Sequence, residues 1–214
     1  MLHCPAMTTA NSPLKPPTPV DFFFDLSSPY SYLAATQLDA IAARNNAEIA
    51  WKPIVLGAVF KSVGNSMPAA CPPTAAYMFK DLGRWAAHYG VPFAFNSRFP
   101  VNAIRAMRLI VAAGLHCGST AGHAGLSRAA FAAVWVDDQD VTTDDTLRAL
   151  LVREGLPVDL LAAIETAPVK DRLRAYTDDA IARGVFGAPA IFVGGELFWG
   201  NDRLDFVEAA LRQG

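Results

Sequence analysis

The sequence predicts an α/β fold broken by a long all-helical insertion. Three observations carry that prediction. Short apolar runs bounded by Gly, Pro or Ser stand near both ends of the chain, as buried strands do. Between about Gly57 and Arg183 that pattern gives way to Ala-rich segments with apolar residues at helical spacing. Finally, 214 residues at 52% hydrophobic and 18% charged suffice for one packed domain, or a domain carrying a large insertion, and exclude a disordered or collagen-like chain.

The first predicted strand is Val20 to Leu26, VDFFFDL, between Pro19 and Ser27. A helix follows from Pro29, with Tyr30, Leu33, Ala34, Leu38 and Ile41 at helical spacing, Pro in its first turn and Ser28 as its N-cap, ending near Arg44 and Asn45. Glu48 to Leu56 reads as a second strand, which Pro53 places at an edge or bulge. A crossover of that length favours parallel pairing. In the insertion, helices are expected over about Thr74–Tyr89, Asn102–Ala113 with Gly114 as its stop, Thr120–Trp135, Thr143–Arg153, Pro157–Ile164 and Lys170–Arg183. The strand pattern then returns as Ala190–Val193 and Glu196–Trp199, joined by the hairpin dipeptide Gly194-Gly195. A last helix from Asn201 or Asp202 to Arg212 is expected to bury Leu204, Phe206, Val207, Ala210 and Leu211.

Charge and cysteine usage narrow the function. Eighteen Lys and Arg against 20 Asp and Glu give a net charge of −2, without the basic excess that nucleic acid requires. Cys4, Cys71 and Cys117 are far apart and in no metal-ligand or C-x-x-C spacing, which argues for a reducing, cytoplasmic compartment. His88, His116 and His123 likewise show no ligand spacing, so no metal is expected. No apolar run nears the ~18 to 20 residues of a membrane helix, since Arg105 and Arg108 interrupt the best candidate. Residues 1–19, with five prolines and no signal-peptide pattern, are expected to be a flexible tail, and Met7 is an alternative start to Met1.

The element order, strand, helix, strand, helical insertion, helix, hairpin and closing helix, is that of a thioredoxin-like domain interrupted by a helical one. The expected division is 20–59 with 168–214 for the thioredoxin-like part and 60–167 for the insertion. Two places in that layout bear on chemistry. Pro189 stands where such folds carry a cis proline, although composition alone favours a trans proline opening an edge strand. At the start of the first helix, Ser28-Pro29-Tyr30-Ser31 stands where a dithiol enzyme carries C-x-x-C. A hydroxyl forms no mixed disulfide, so dithiol exchange is excluded there. What remains is either a plain helix cap or a hydroxyl at the positive end of a helix dipole, a place suited to a thiolate brought from outside.

The runs VDFFFDLSSPYSYL, LGAVFKSVGN, YMFKDLGRWAAHYGVPF, FPVNAIRAMR and GVFGAPAIFVGGELFWGNDRLDFVEAAL resemble 2-hydroxychromene-2-carboxylate isomerases, relatives of the kappa-class glutathione transferases, over about residues 20 to 212. The resemblance implies a glutathione-dependent, reversible isomerisation of 2-hydroxychromene-2-carboxylate to trans-o-hydroxybenzylidenepyruvate, with a small aromatic hydroxy or oxo acid as substrate and a homodimer as the assembly. It also implies residue roles. Ser28 would hydrogen-bond the sulfur of glutathione. Ala188, before Pro189, would offer its backbone to the cysteinyl unit, and Trp199, Gly200, Asn201 and Asp202 would hold the γ-glutamyl end. Asn65 would contact glutathione, while Lys61 and Asn102 would contact the substrate. Where kappa-class transferases carry a lysine this chain has Thr74, a departure that favours the isomerase branch. Ser31 is expected to support Ser28 or face the packed helix, and Trp85, Trp135 and Trp199 to be core aromatics rather than a cofactor cage. The rival implications are a kappa-like transferase and a non-catalytic binder of thiol peptides.

Overall fold

The structure is a computed structural model that describes residues 16–213. Most of the expected tail, with Cys4 and both candidate starts, lies outside the described residues.

Among the described residues four strands form one sheet in the order β2-β1-β3-β4. Strand β1 (Thr18–Phe24) runs parallel to β2 (Ala47–Pro53), with Phe22 opposite Trp51. On its other side β1 pairs antiparallel with β3 (Ala190–Val193), and β3 pairs antiparallel with β4 (Glu196–Trp199). Strand β1 begins two residues before the expected Val20, because Thr18 and Pro19 already pair with Ala47 and Glu48. Pro53 ends an edge strand, where its missing N–H costs no ladder bond. Strand β3 is internal rather than an edge, and the Ala188-Pro189 bond before it is cis, as is Phe99-Pro100. Gly194 and Gly195 make the hairpin turn with positive φ at both, the conformation that selects glycine.

The helices are α1 (Pro29–Arg44), α2 (Leu56–Val63), α3 (Pro72–Tyr89), α4 (Ile104–His116), α5 (Ala124–Trp135), α6 (Asp144–Arg153), α7 (Leu160–Ala163), α8 (Ala167–Ala182) and α9 (Leu204–Gln213). Helix α2 was not among the expected elements; its sequence LGAVFKSV merges with the apolar end of β2, so periodicity does not separate them. Helix α4 runs through Gly114 instead of stopping there. A Cβ at Gly114 would collide with the backbone carbonyl of Ala121, so this glycine serves a close approach and not a helix end. Helix α5 starts later than expected, at a cap where His123 Nδ1 accepts from the Leu126 amide at 3.0 Å. Helix α9 buries Leu204, Val207 and Leu211, whereas Phe206 is 60% exposed because it falls off that i, i+3, i+7 stripe.

One buried cluster runs from the sheet into the helical segment. Phe22 and Phe24 stack at 5.2 Å, Trp51 meets both edge-on, and Phe131 of α5 lies 5.3 Å from Phe24. Trp135 is fully buried, and its indole N–H donates to the carbonyl of Leu26 at 2.9 Å. That bond ties the helical segment to the loop between β1 and α1, where the candidate site begins. The expected boundary at 59/60 falls inside α2.

Candidate active site

The loop after β1 is held from beneath by a buried carboxylate. Asp25 is 5% exposed; one of its oxygens accepts from the Ser27 amide and the other from the Leu56 amide, both at 2.9 Å. Val55, the N-cap of α2, gives no side-chain cap, so Asp25 supplies from a distance the acceptor that this helix start lacks. Burial pushes the Asp25 carboxyl above its ordinary range, against the pull of the two amides. The Ser28 amide donates to the Asp25 carbonyl at 2.9 Å, which closes the turn and presents Ser28 at the start of α1.

Ser28 has extended φ and ψ of −93° and 112°, as an N-cap does, and its Oγ accepts from the Ser31 amide at 3.2 Å. The same hydroxyl donates to the carbonyl of Ala188 at 3.1 Å. Ser31 therefore supports Ser28 through its backbone; its own Oγ is buried and has no hydrogen-bond partner among the described residues. Pro29 at the first helical position leaves the dipole's positive end directed at the cavity beside Ser28.

That cavity, of about 650 Å³, joins the two ends of the chain to the helical segment. Of the residues singled out in the sequence, Ser28, Asn65, Ala188, Pro189, Trp199, Gly200, Asn201 and Asp202 line it together. Lys61 and Asn102 do not: Lys61 is exposed on the last turn of α2, and Asn102 is exposed, its carboxamide accepting from the Ile104 amide at 3.4 Å as a helix-start contact. Asn65 donates to the Phe186 carbonyl at 3.3 Å, which connects the end of α2 to the segment leading into Pro189.

The wall after β4 is held by a second set of contacts. Trp199 is 49% exposed, not a core aromatic, and packs tilted against Phe186 with centroids 5.0 Å apart. Gly187 lies beneath it so closely that a Cβ would come within 2.6 Å of the indole Nε1. Gly200 has φ of 101°, which favours glycine, and the Gly200 amide donates to the Pro189 carbonyl at 3.1 Å. The Asp202 carboxylate pairs with Arg203 at 2.6 Å. Tyr89 donates to the carbonyl of Asn201 at 2.6 Å and so fastens this corner to α3.

Several lining residues had no sequence signal. Trp85 is half-buried on the cavity wall instead of in the core, and Phe60, Tyr77 and Met78 add apolar surface. Tyr30 donates to Asp81 Oδ2 at 2.9 Å across 51 residues, a separation that no periodicity reveals. Burial, then the Asp81 carboxylate, hold the Tyr30 phenol well above its ordinary range. Thr74 lines the cavity too, and its hydrogen bonds draw the exposed Cys71 thiol below its ordinary value. Among the described residues no group of His, Cys, Asp and Glu is placed to hold a metal, and no helix is long and apolar enough to cross a membrane.

Comparison with known proteins adds an independent line. The family model of the DSBA-like thioredoxin domain matches residues 19–212. A 2-hydroxychromene-2-carboxylate isomerase of Sphingobium xenophagum is 34% identical over 195 residues, covering 90% of this chain and 97% of that protein. Glutathione S-transferase kappa 1 of Homo sapiens is 28% identical over 204 residues, covering 89% of each. A solved 2-hydroxychromene-2-carboxylate isomerase superposes with a TM-score of 0.81 at 30% identity, over 91% of this chain and 95% of that one.

Proposed function

From a chain that belongs to the DSBA-like thioredoxin-domain family and, within it, to the 2-hydroxychromene-2-carboxylate isomerases, we propose a glutathione-dependent isomerase of 2-hydroxychromene-2-carboxylate and trans-o-hydroxybenzylidenepyruvate, a cytoplasmic homodimeric enzyme of aromatic breakdown. The observation that carries the reading is the convergence of the Ser28 hydroxyl, the Ala188 backbone, Asn65 and Asp202 on one cavity.

The donor set fits a γ-glutamyl-cysteinyl peptide. Asp202 would receive the ammonium, Asn65 and the backbone at Asn201 the polar groups of the peptide, and Ala188 the cysteinyl backbone in strand-like fashion. Bound there, glutathione supplies a thiolate whose reversible addition to a conjugated double bond permits rotation about it. The Ser28 hydroxyl, turned from the Ala188 carbonyl toward a sulfur, donates to it at the N-terminal end of α1. A free thiol titrates near ~8.5, so a donor and a helix terminus together supplying ~1 to 3 kcal/mol make the thiolate dominant at neutral pH. The apolar wall of Phe60, Met78, Trp85 and Val101 receives an aromatic ring and excludes water. Lys61, outside the lining, would meet the substrate's carboxylate, and Asn102, also outside it, would orient the substrate's hydroxyl or carboxylate.

A kappa-type transferase would use the same site on another electrophile. Parallel absorbance assays decide between them: turnover of 2-hydroxychromene-2-carboxylate with glutathione regenerated supports the isomerase, whereas conjugation of an aryl halide without isomerisation supports the transferase.

A further inference from the structure

We propose that Tyr30 and Asp81 are the proton-transfer pair of this site, serving the opening and closing of the substrate's oxygen ring. The assignment rests on the isomerase reading above. A 2-hydroxychromene is a cyclic hemiketal, and its conversion to an open phenol-ketone needs a proton taken from one oxygen and given to another, separately from any rotation about the double bond. Ser28 has no part in that transfer, since its hydroxyl is the donor reserved for a sulfur.

The cavity offers few groups for the task. Among the described residues its lining holds no His, Lys, Arg or Cys; the titratable groups are Tyr30, Tyr77, Asp81 and Asp202. Asp202 is exposed and bound by Arg203 at 2.6 Å, and Tyr77 is 61% exposed. Asp81 is half-buried on α3, and its hydrogen-bonding partner Tyr30, 2.9 Å away, stands two residues from Ser28 on α1. A carboxylate joined to a phenol in this way is a base and an acid side by side, within the space the substrate must occupy.

In the opening direction the hemiketal proton passes to the Asp81 carboxylate. The bond from the hemiketal carbon to the ring oxygen breaks as that carbon becomes a ketone, and the departing phenolic oxygen takes the proton of the Tyr30 hydroxyl. Asp81, now a carboxylic acid, returns a proton to Tyr30 across their hydrogen bond. One proton has moved from hemiketal to phenol and the pair is restored. The high resting proton affinity of Tyr30 comes in part from the Asp81 charge, so protonating Asp81 makes the phenol a better acid when its proton is needed.

Two substrates test the assignment with glutathione present. 2-Hydroxychromene-2-carboxylate needs both ring opening and rotation, whereas cis-benzylidenepyruvate, which lacks the ring hydroxyl and cannot close, needs rotation alone. Asp81→Asn and Tyr30→Phe are expected to slow the cyclic substrate about 100-fold while changing the open one less than threefold. Equal losses on both substrates, or no loss on either, overturn the pair. A wild type inactive on both overturns the isomerase reading itself, and the pair with it. Binding without glutathione gives a second readout, by quenching of tryptophan fluorescence. Wild type is expected to bind 2-hydroxycinnamate about tenfold tighter than cinnamate, and Tyr30→Phe to lose that preference; a wild type that does not distinguish the two acids overturns the assignment.

Discussion

The Ser28 hydroxyl donates to the Ala188 carbonyl at 3.1 Å, across 160 residues of sequence. This bond joins the start of α1 to the residue before Pro189, so the hydroxyl and the strand-like backbone form one unit before any ligand arrives. Removing the hydroxyl deletes that bond and the cap on the Ser31 amide. Ser28→Ala is therefore expected to cost ~1 kcal/mol of stability and leave the fold intact. Turnover should fall ~100-fold or more, from loss of the donor to sulfur. Steady-state kinetics beside thermal unfolding check both parts, and full activity in the variant removes Ser28 from the mechanism.

Gly187→Ala places a methyl 2.6 Å from the Trp199 indole nitrogen, so the indole must leave its position on Phe186. Because Trp199 is half-exposed it has room to move, and the expected stability change is under ~1 kcal/mol. The KM for glutathione should rise severalfold with kcat little changed, and tryptophan emission should shift. An unaltered KM would show that the Trp199 wall does not touch glutathione.

At Gly114 the obstacle is backbone, the Ala121 carbonyl, which cannot swing aside as a side chain does. Gly114→Ala is expected to lower stability by ~1 to 3 kcal/mol despite alanine's higher helix propensity. A urea midpoint at or above that of wild type would contradict the close approach of α4 to the segment around Ala121.

Acid stability should depend on Glu208. Arg44 meets it at 2.6 Å, with Asn45 and Arg212 beside it, and its carboxyl is drawn down to about 2. Its folded pKa lies below the unfolded value, so the stabilisation is present above about 4.5 and is lost as pH falls through about 2. Unfolding midpoints between those limits should drop more steeply for wild type than for Glu208→Gln. Equal slopes would mean that the ion pair does not persist in solution.

Much of this fold was legible where local chemistry decides the structure. Ser28-Pro29 marks a helix start, and the Gly194-Gly195 dipeptide marks a turn whose positive φ values glycine alone adopts freely. Legibility failed where tertiary contacts decide. Gly114 reads as a helix stop but lies inside α4, because a passing carbonyl requires it. Leu56–Val63 carries no start signal of its own, since its first turn is capped by Asp25 from another loop. In the site, segments carrying recognisable motifs fell together around the cavity. The Tyr30–Asp81 contact had no motif, because it arises only when α3 is laid against α1.

In the proposed reaction a thiol brought by glutathione isomerises an aromatic acid beside Ser28. The most direct test follows absorbance as purified enzyme converts 2-hydroxychromene-2-carboxylate over a series of glutathione concentrations starting from none. The expected result is no enzymatic rate without glutathione, saturation as it is added, and no net consumption of glutathione. Absence of turnover at every concentration, or a rate indifferent to glutathione, would contradict it.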